Sequence, residues 1–300
     1  MHPDQHLIVR EFDGDVDHAT TIASFLGHAQ DLTGQTVGWH PGEFVWNAYR
    51  PSSPTRFATI EQRGQIIGFT YFRQPGEFEC VLEPALRAAG GDIDLAEEIV
   101  RQALSWPSPD GLVSITVAEQ DGWMADIVGA QGFVNSHRAE FRNSWLPLTD
   151  PLPVVLPAGF RVVTMDAGAN LEERVELHRD VWAPTRFNMT DYEKVRESNE
   201  YRSALDMAAV AADGTYASYA TGWFDPVSRI GQLEPVGTQA QFRGLGLGKA
   251  VIATILNRML VEGAIGCWVL SEDDNAASNA LYQSVGFRQT TRLEIWTREG

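Results

Sequence analysis

LEPVGTQAQFRGLGLGKAVIATILNRMLVEG, residues Leu233 to Gly263, is the stretch on which the reading of the whole chain turns. It holds a β-type run, a short polar loop, three alternating glycines and then apolar residues at helical spacing. A strand feeding a glycine-rich turn at a helix N-terminus offers free backbone N–H groups and the positive end of a helix dipole to an anion. Glycines at 244, 246 and 248 let backbone approach that anion without intervening Cβ atoms, and Arg243 and Lys249 add positive charge. The pattern is that of a phosphate cradle.

Three known cradles compete for it. A Walker loop needs glycine where Arg243 stands and Ser or Thr where Ala250 stands, so it fails twice. The dinucleotide fingerprint G-x-G-x-x-G breaks at its third glycine, where Lys249 follows Gly244 and Gly246. What fits is Arg-x-x-Gly-x-Gly, written by Arg243, Gly246 and Gly248 between a strand and a helix. Downstream, NAASNALYQSVGF supplies Asn275, then Leu281-Tyr282 in a helical stretch, then Gly286-Phe287. Together these motifs resemble the N-acetyltransferase superfamily known as GNAT.

That resemblance implies an acyl-CoA-dependent N-acyltransferase, most simply one moving acetyl from acetyl-CoA to a primary amine of a small molecule in a ternary complex. Val236, Gly237 and Thr238 would end a splayed central strand that pairs with the pantetheine arm. The backbone from Arg243 through Gly244, Leu245, Gly246, Leu247 and Gly248 to Lys249 would hold the pyrophosphate. Asn275 would touch the pantetheine or acyl end, and Tyr282 would sit near the sulfur. The chemistry needs a neutral amine, an oxyanion donor and a proton for the leaving thiolate. Backbone N–H groups at Val236 to Thr238 are candidates for the donor, Tyr282 for the acid and Glu234 for the base. Each has a plainer reading: Glu234 as a cation binder or a solvent-facing side chain, Tyr282 as a core tyrosine, and Asn275 as a helix cap. The segment Trp182 to Glu193 follows the first helix of this half, where the family builds its acceptor side, so Trp182, Arg186, Phe187 and Tyr192 are candidate lining residues. Surface loop and helix packing explain the same segment. A non-catalytic CoA- or ligand-binding module and an O- or longer-chain acyltransferase remain as rival readings.

The chain reads as α/β (α+β), with two tandem GNAT-like domains, each a mixed, mostly antiparallel central sheet flanked by helices. Four prolines in SWLPLTDPLPVVLPAGF break regular structure, which predicts a linker at 148–158 between a degenerate domain, 1–147, and a catalytic one, 159–300. Leu7 to Phe12 and Gly159 to Thr164 open the halves as β-rich runs, and a helix is expected near Leu171 to Trp182. Paired strands are expected at Arg56–Gln62 with Ile66–Arg73 and at Asp206–Ala212 with Thr215–Phe224, the latter joined by an Asp213-Gly214 turn. Val128 to Phe133 parallels Tyr282 to Phe287, which points to internal duplication. Aligned so, Arg87 faces Arg243 and Gly90 faces Gly246, but Ala88 replaces Gly244, Asp92 replaces Gly248 and Val128 replaces Tyr282. A carboxylate at a pyrophosphate position repels the anion, so the first cradle is expected to be dead. Tandem GNAT chains with the working half at the C-terminus include enzymes similar to mycothiol synthase and antibiotic-modifying acyltransferases, and no motif here selects among them.

Composition sets the bounds. The 300 residues are 44% hydrophobic and carry a formal charge of -17, which disfavours nucleic acid and anionic lipid as partners and suits a cationic acceptor. MHPDQHLIVREFDGD has no basic n-region, and the apolar runs are too short to span a bilayer, so a cytoplasmic location is expected. Cys80 and Cys267 read as buried thiols, and the seven histidines show no ligand spacing; no metal is expected. A monomer or homodimer is expected.

Overall fold

The computed structural model describes residues 6–33, 38–49, 55–88, 90–104 and 111–299, so residues 1–5, on which part of the leader reading rests, lie outside the described residues. In chain order β1 (Ile8–Glu11), α1 (Val16–Thr33) and α2 (Pro41–Tyr49) come first. Then follow β2 (Arg56–Gln62), β3 (Gln65–Gln74), β4 (Glu77–Leu82), α3 (Ile93–Ala103), β5 (Leu112–Ala118), α4 (Gly122–Ala130) and β6 (Val134–Pro147). The second run is β7 (Phe160–Thr164), α5 (Leu171–Val181), α6 (Met189–Glu197), β8 (Asp206–Ala211), β9 (Tyr216–Asp225) and β10 (Ile230–Thr238). It closes with α7 (Leu247–Val261), β11 (Gly266–Glu272), α8 (Ala276–Val285) and β12 (Arg288–Glu299). The second run repeats the first, element for element, and the strand pairs and the helix after the linker fall where the sequence puts them. The duplication extends to single backbone bonds: Phe133 N–H donates to Val128 O at 3.2 Å, and Phe287 N–H donates to Tyr282 O at 3.1 Å.

The compact units trade two pieces across the sequence repeat. One comprises Met1–Trp39, Ser53–Arg142 and Thr291–Gly300; the other comprises His40–Ser52 and Asn143–Thr290. Helix α2 therefore belongs with the second repeat, and the end of β12 with the first, where Leu293 to Glu299 run antiparallel to Ala118 to Leu112 of β5. The proline-rich segment 148–158 is bonded to the second unit. Leu148 N–H donates to Ile265 O at 3.0 Å, and Leu152 bonds the Asn257 side chain through its N–H at 2.6 Å and its carbonyl at 2.9 Å.

In the second unit α7 lays Leu247, Val251, Ile255 and Met259 on one face of the β8–β11 strands, all essentially buried. Each such side chain stabilises the fold by roughly 1.5–3 kcal/mol relative to exposure. Helix α2 seats itself by close approach. A Cβ on Gly42 would meet Trp223 Cγ at 2.2 Å, so only glycine lets the helix start lie on that indole. His40 fixes the entry, accepting from Gly42 N–H at Nδ1 (3.0 Å) while Nε2 bonds Ile230 O at 3.2 Å. Burial pushes the His40 pKa down to about 4, against a smaller opposing pull from the Ile230 carbonyl. Beneath α5 lies a buried ion pair: Arg174 Nε donates to Asp206 Oδ1 at 3.0 Å, and the hydroxyl of Tyr192 donates to Asp206 Oδ2 at 2.7 Å. Among the described residues no helix is long and apolar enough to cross a membrane.

Candidate active site

The strand geometry that opens the site is set at Glu234-Pro235. Strand β10 pairs in parallel with β11 only from Ile230↔Gly266 to Gln232↔Trp268. Against β9 it continues, across a register shift between Leu233 and Val236, to Thr238↔Ser218. Pro235 has no N–H to give to a ladder, which suits a bulge. Past the bulge the β11-facing edge of Val236, Gly237 and Thr238 has no ladder partner among the described residues, and the two strands splay here. Its end is pinned by Ser218, whose hydroxyl donates to Gly237 O at 3.0 Å and lies 2.8 Å from the Thr238 hydroxyl.

Helix α7 begins at a cap that leaves its amides open. The N-cap is Gly246, at φ 84°, and no side chain accepts from the first turn. Gly244 also has positive φ, 81°, and a Cβ at either residue would meet nothing within 4 Å. The two glycines are thus required by backbone conformation and leave the approach clear. Gly248 differs: its Cβ would lie 3.4 Å from both Leu281 Cδ2 and Thr238 Oγ1, so this glycine brings α7 against α8 and the end of β10. Arg243 Nε donates to Thr238 O at 3.2 Å and Lys249 Nζ donates to Ser284 O at 2.5 Å. Neither cation has an ion-pair partner among the described residues. Leu245 stands exposed at the tip of the turn, and Leu247 is buried in the core. Open helix amides, two clear glycines and two unpaired cations are a donor set that suits a pyrophosphate.

Between the splay and α8 lies a cavity of about 600 Å³, with Val236, Gly237 and Thr238 on one side and Asn275, Leu281 and Tyr282 on the other. Asn275 caps α8, its Oδ1 accepting from Ser278 N–H at 3.1 Å, and also lines the cavity. Tyr282 is 8% exposed, and its hydroxyl has no hydrogen-bond partner among the described residues. Burial, then the neighbouring negative charge of Glu234, raise its pKa well above the ordinary phenol value, so the hydroxyl keeps its proton.

Glu234 lies at the bulge, and Asn47 of α2 donates to its Oε1 from Nδ2 at 3.5 Å. Its carboxylate is directed toward α2 and does not line the cavity holding Tyr282, although its charge is felt there. The neighbouring Gln232 Nε2 donates to Glu43 Oε2 at 3.0 Å. The helix supplied by the first sequence half thus borders the face of β10 that carries the candidate base. No sequence signal marks α2 as belonging there.

The expected acceptor residues separate. Trp182 lines the cavity and is 48% exposed. Arg186 is exposed and away from the cavity. Phe187 is buried against Trp46 and His178. Tyr192 is 1% exposed with its hydroxyl bonded to Asp206, so it serves the buried ion pair and drops out of the lining set. Tyr219, absent from the sequence expectations, stands directly across from Gly237 on β9 and fills the space a Cβ there would take, at 2.8 Å from Cε1. Its hydroxyl accepts from Trp182 Nε1 at 2.8 Å and shares a hydrogen bond with His178 Nδ1 at 2.6 Å. The signal available in the sequence was the spacing of His178 and Trp182, one helical turn apart.

The first unit caps the corresponding helix, α3, with different chemistry. Asp92, which the alignment set against Gly248, holds the N-cap position that Gly246 holds in α7, and its Oδ1 accepts from Leu95 N–H at 2.9 Å. Arg87 is paired with Asp121 at 2.8 Å, and its guanidinium lies 4.7 Å from the Trp123 ring centroid.

Residues 171–287 match the model of the Acetyltransferase (GNAT) family. The chain is 24% identical over 300 residues to a mycothiol acetyltransferase of Thermobispora bispora, covering 94% of this chain and 96% of the relative. A tandem GNAT protein from the clavulanic acid biosynthesis pathway shares the fold with a TM-score of 0.59 at 17% identity, over 98% of each chain. A GCN5-related N-acetyltransferase of Sphaerobacter thermophilus aligns at TM-score 0.57 and 16% identity, covering 98% of this chain and 95% of its own.

Proposed function

Starting from a GNAT-family acetyltransferase domain at residues 171–287, we propose that this chain transfers an acetyl group from acetyl-CoA to a primary amine of a small molecule, by direct attack in a ternary complex. The single observation that carries the proposal is the pairing of an uncapped α7 N-terminus with an unladdered β10 edge along one cavity. A CoA thioester has the matching parts: a pyrophosphate for the helix amides and an amide-bearing arm for the strand edge.

In the proposed reaction Glu234 takes a proton from the acceptor ammonium, directly or through water. The amine nitrogen then attacks the thioester carbonyl, and backbone N–H groups at Val236 to Thr238 receive the developing oxyanion. Attack forms the C–N bond; collapse of the tetrahedral intermediate breaks C–S as Tyr282 gives its proton to the departing thiolate, and the second proton shed by the nitrogen returns through solvent to Tyr282, leaving one proton on Glu234. A phenol with a raised pKa is suited to this task because it stays protonated until the thiolate appears. Glu43 and Glu234 near α2, with the net charge of -17, favour a cationic acceptor. The similarity to mycothiol acetyltransferase over most of the chain supports acetyl as the group moved.

The test is a screen of small amines with acetyl-CoA, read by free thiol and by product mass. A product heavier by one acetyl group and stable to hydroxylamine supports N-acetyl transfer. A hydroxylamine-labile product would overturn the amine assignment, and thiol release without an acetylated product would overturn transfer.

A further inference from the structure

The cavity has chemically distinct ends. One end carries the Gly244, Gly246 and Lys249 turn beside Ser284, where Lys249 is fixed. The other carries Val181 and Trp182 at the C-terminus of α5, beside Gly237. Val181 Cγ1 would lie 2.7 Å from a Cβ on Gly237, so α5 abuts the strand at the residue before Thr238. Trp182 comes next in the chain and is the large apolar side chain that this end presents.

Its position is unusually well fixed for a half-exposed indole. Nε1 donates to the Tyr219 hydroxyl at 2.8 Å, and that hydroxyl is held from its other side by His178 at 2.6 Å. The Tyr219 ring is itself clamped, with the Arg174 guanidinium carbon 3.8 Å from its centroid and that guanidinium bonded to buried Asp206. The His178 and Trp182 rings are stacked, 27° apart in plane with centroids at 6.3 Å. The N–H anchor, the stacked ring and the helix C-cap bond from Trp182 N–H to His178 O together deny the side chain its other rotamers. A side chain so held acts as a wall.

We infer that Trp182 is the acyl-length gate of the donor site: anchored through Tyr219 to His178, it closes the Gly237 end of the cavity to acyl chains longer than acetyl. The inference rests on the proposed acyl-CoA reading and adds to it the residue that selects the donor. The phosphates occupy the glycine end, which Thr238 adjoins through Gly248 and Arg243, so the thioester carbonyl falls past Thr238 along the strand edge, by Val236 and Gly237. Carbons beyond the acetyl methyl then meet the indole. Discrimination by an apolar wall against added methylenes runs from about tenfold to a few hundredfold.

Calorimetry with acetyl-CoA and hexanoyl-CoA tests this without an acceptor. The ratio of the two affinities is internal to each protein, so a general change in CoA affinity cancels. The wild-type chain is expected to prefer acetyl-CoA by about thirtyfold or more, and Trp182→Ala to bring the two within about threefold. Trp182→Phe keeps an aromatic ring but loses the N–H anchor, and is expected to shift the ratio in the same direction by a smaller factor. An unchanged ratio in Trp182→Ala overturns the wall, and an unchanged ratio in Trp182→Phe overturns the anchoring. Equal affinities in the wild-type protein would sink the gate alone, whereas no binding of either thioester would sink the acyl-CoA reading with it.

Discussion

The two glycine-containing turns of this chain each lead into a helix, and the caps of those helices have opposite electrostatics. At the start of α7 the cap position is a glycine without a side chain, so the first-turn amides stay available. At the start of α3 the same position is Asp92, whose carboxylate consumes one amide and sets a negative charge where a phosphate would lie. The basic residues follow suit: among the described residues Arg243 and Lys249 bond backbone carbonyls, while Arg87 is neutralised by Asp121. The strand ahead of each turn repeats the contrast. Glu234 contacts an amide from α2, whereas its counterpart Glu79 is held by Arg73 at 3.4 Å and by Trp39 Nε1 at 2.8 Å. Asn275 and Asp121 cap their helices in the same way, and Tyr282 gives way to a fully buried Val128. A duplicated fold can thus keep its packing while a few side chains convert an anion cradle into an internally satisfied turn.

The largest expected effect comes from moving the first cap into the second site. Gly246→Asp places a carboxylate against the pyrophosphate and a Cβ at φ 84°, and should weaken acetyl-CoA binding about a thousandfold, or ~4 kcal/mol, by calorimetry. Retained affinity would show that the α7 turn does not hold the phosphates. Next is Tyr282→Phe, which should lower kcat about a hundredfold with little change in acetyl-CoA affinity. In the wild-type enzyme the alkaline side of the rate profile should not fall until pH exceeds the ordinary tyrosine value of about 10, because burial raises the pKa of this hydroxyl. A break near pH 8 to 9 that vanishes in Tyr282→Phe would contradict that.

The seat of α2 is a further difference, since its partner in the second repeat, α6, has no buried histidine of this kind at its entry. His40 has a folded-state pKa of about 4, below its unfolded value of 6.5. Its contribution is therefore complete above pH 6.5 and lost as pH falls from there toward 4, up to about 3 kcal/mol. Thermal melts should show a loss of stability between pH 6.5 and 4.5 that His40→Gln reduces; an equal loss in the variant would exclude His40 as its source. The smallest expected effect is Asp92→Gly. It should cost only a few tenths of a kcal/mol, as glycine is a tolerable cap, and should create no second CoA site, because Arg87 remains tied to Asp121. A second equivalent of acetyl-CoA bound by Asp92→Gly would mean that the cap alone silences the first turn.

Much of this was legible in the sequence because it is local. The glycine spacing, the strand before it, the Asn275 to Phe287 motif and the strand pairs of both repeats depend on residues close together in the chain. The alignment of the two turns was legible only to within a few residues, since Asp92 sits at the cap and not at the Gly248 position. What escaped is long-range. The move of α2 to the second unit depends on Gly42 meeting Trp223, about 180 residues apart, and the anchoring of Trp182 depends on Tyr219 in a strand that periodicity describes only as buried. Tyr192 was misplaced for the same reason: its hydroxyl is taken by Asp206, a partner that spacing cannot reveal.

The proposed function gives each chain one working acyl-CoA site, built on the α7 turn. Isothermal titration of the wild-type protein with acetyl-CoA tests it most directly, with the number of sites per chain as the readout. One site is expected; two equivalent sites would overturn the silencing of the first turn, and none would overturn the assignment of the second.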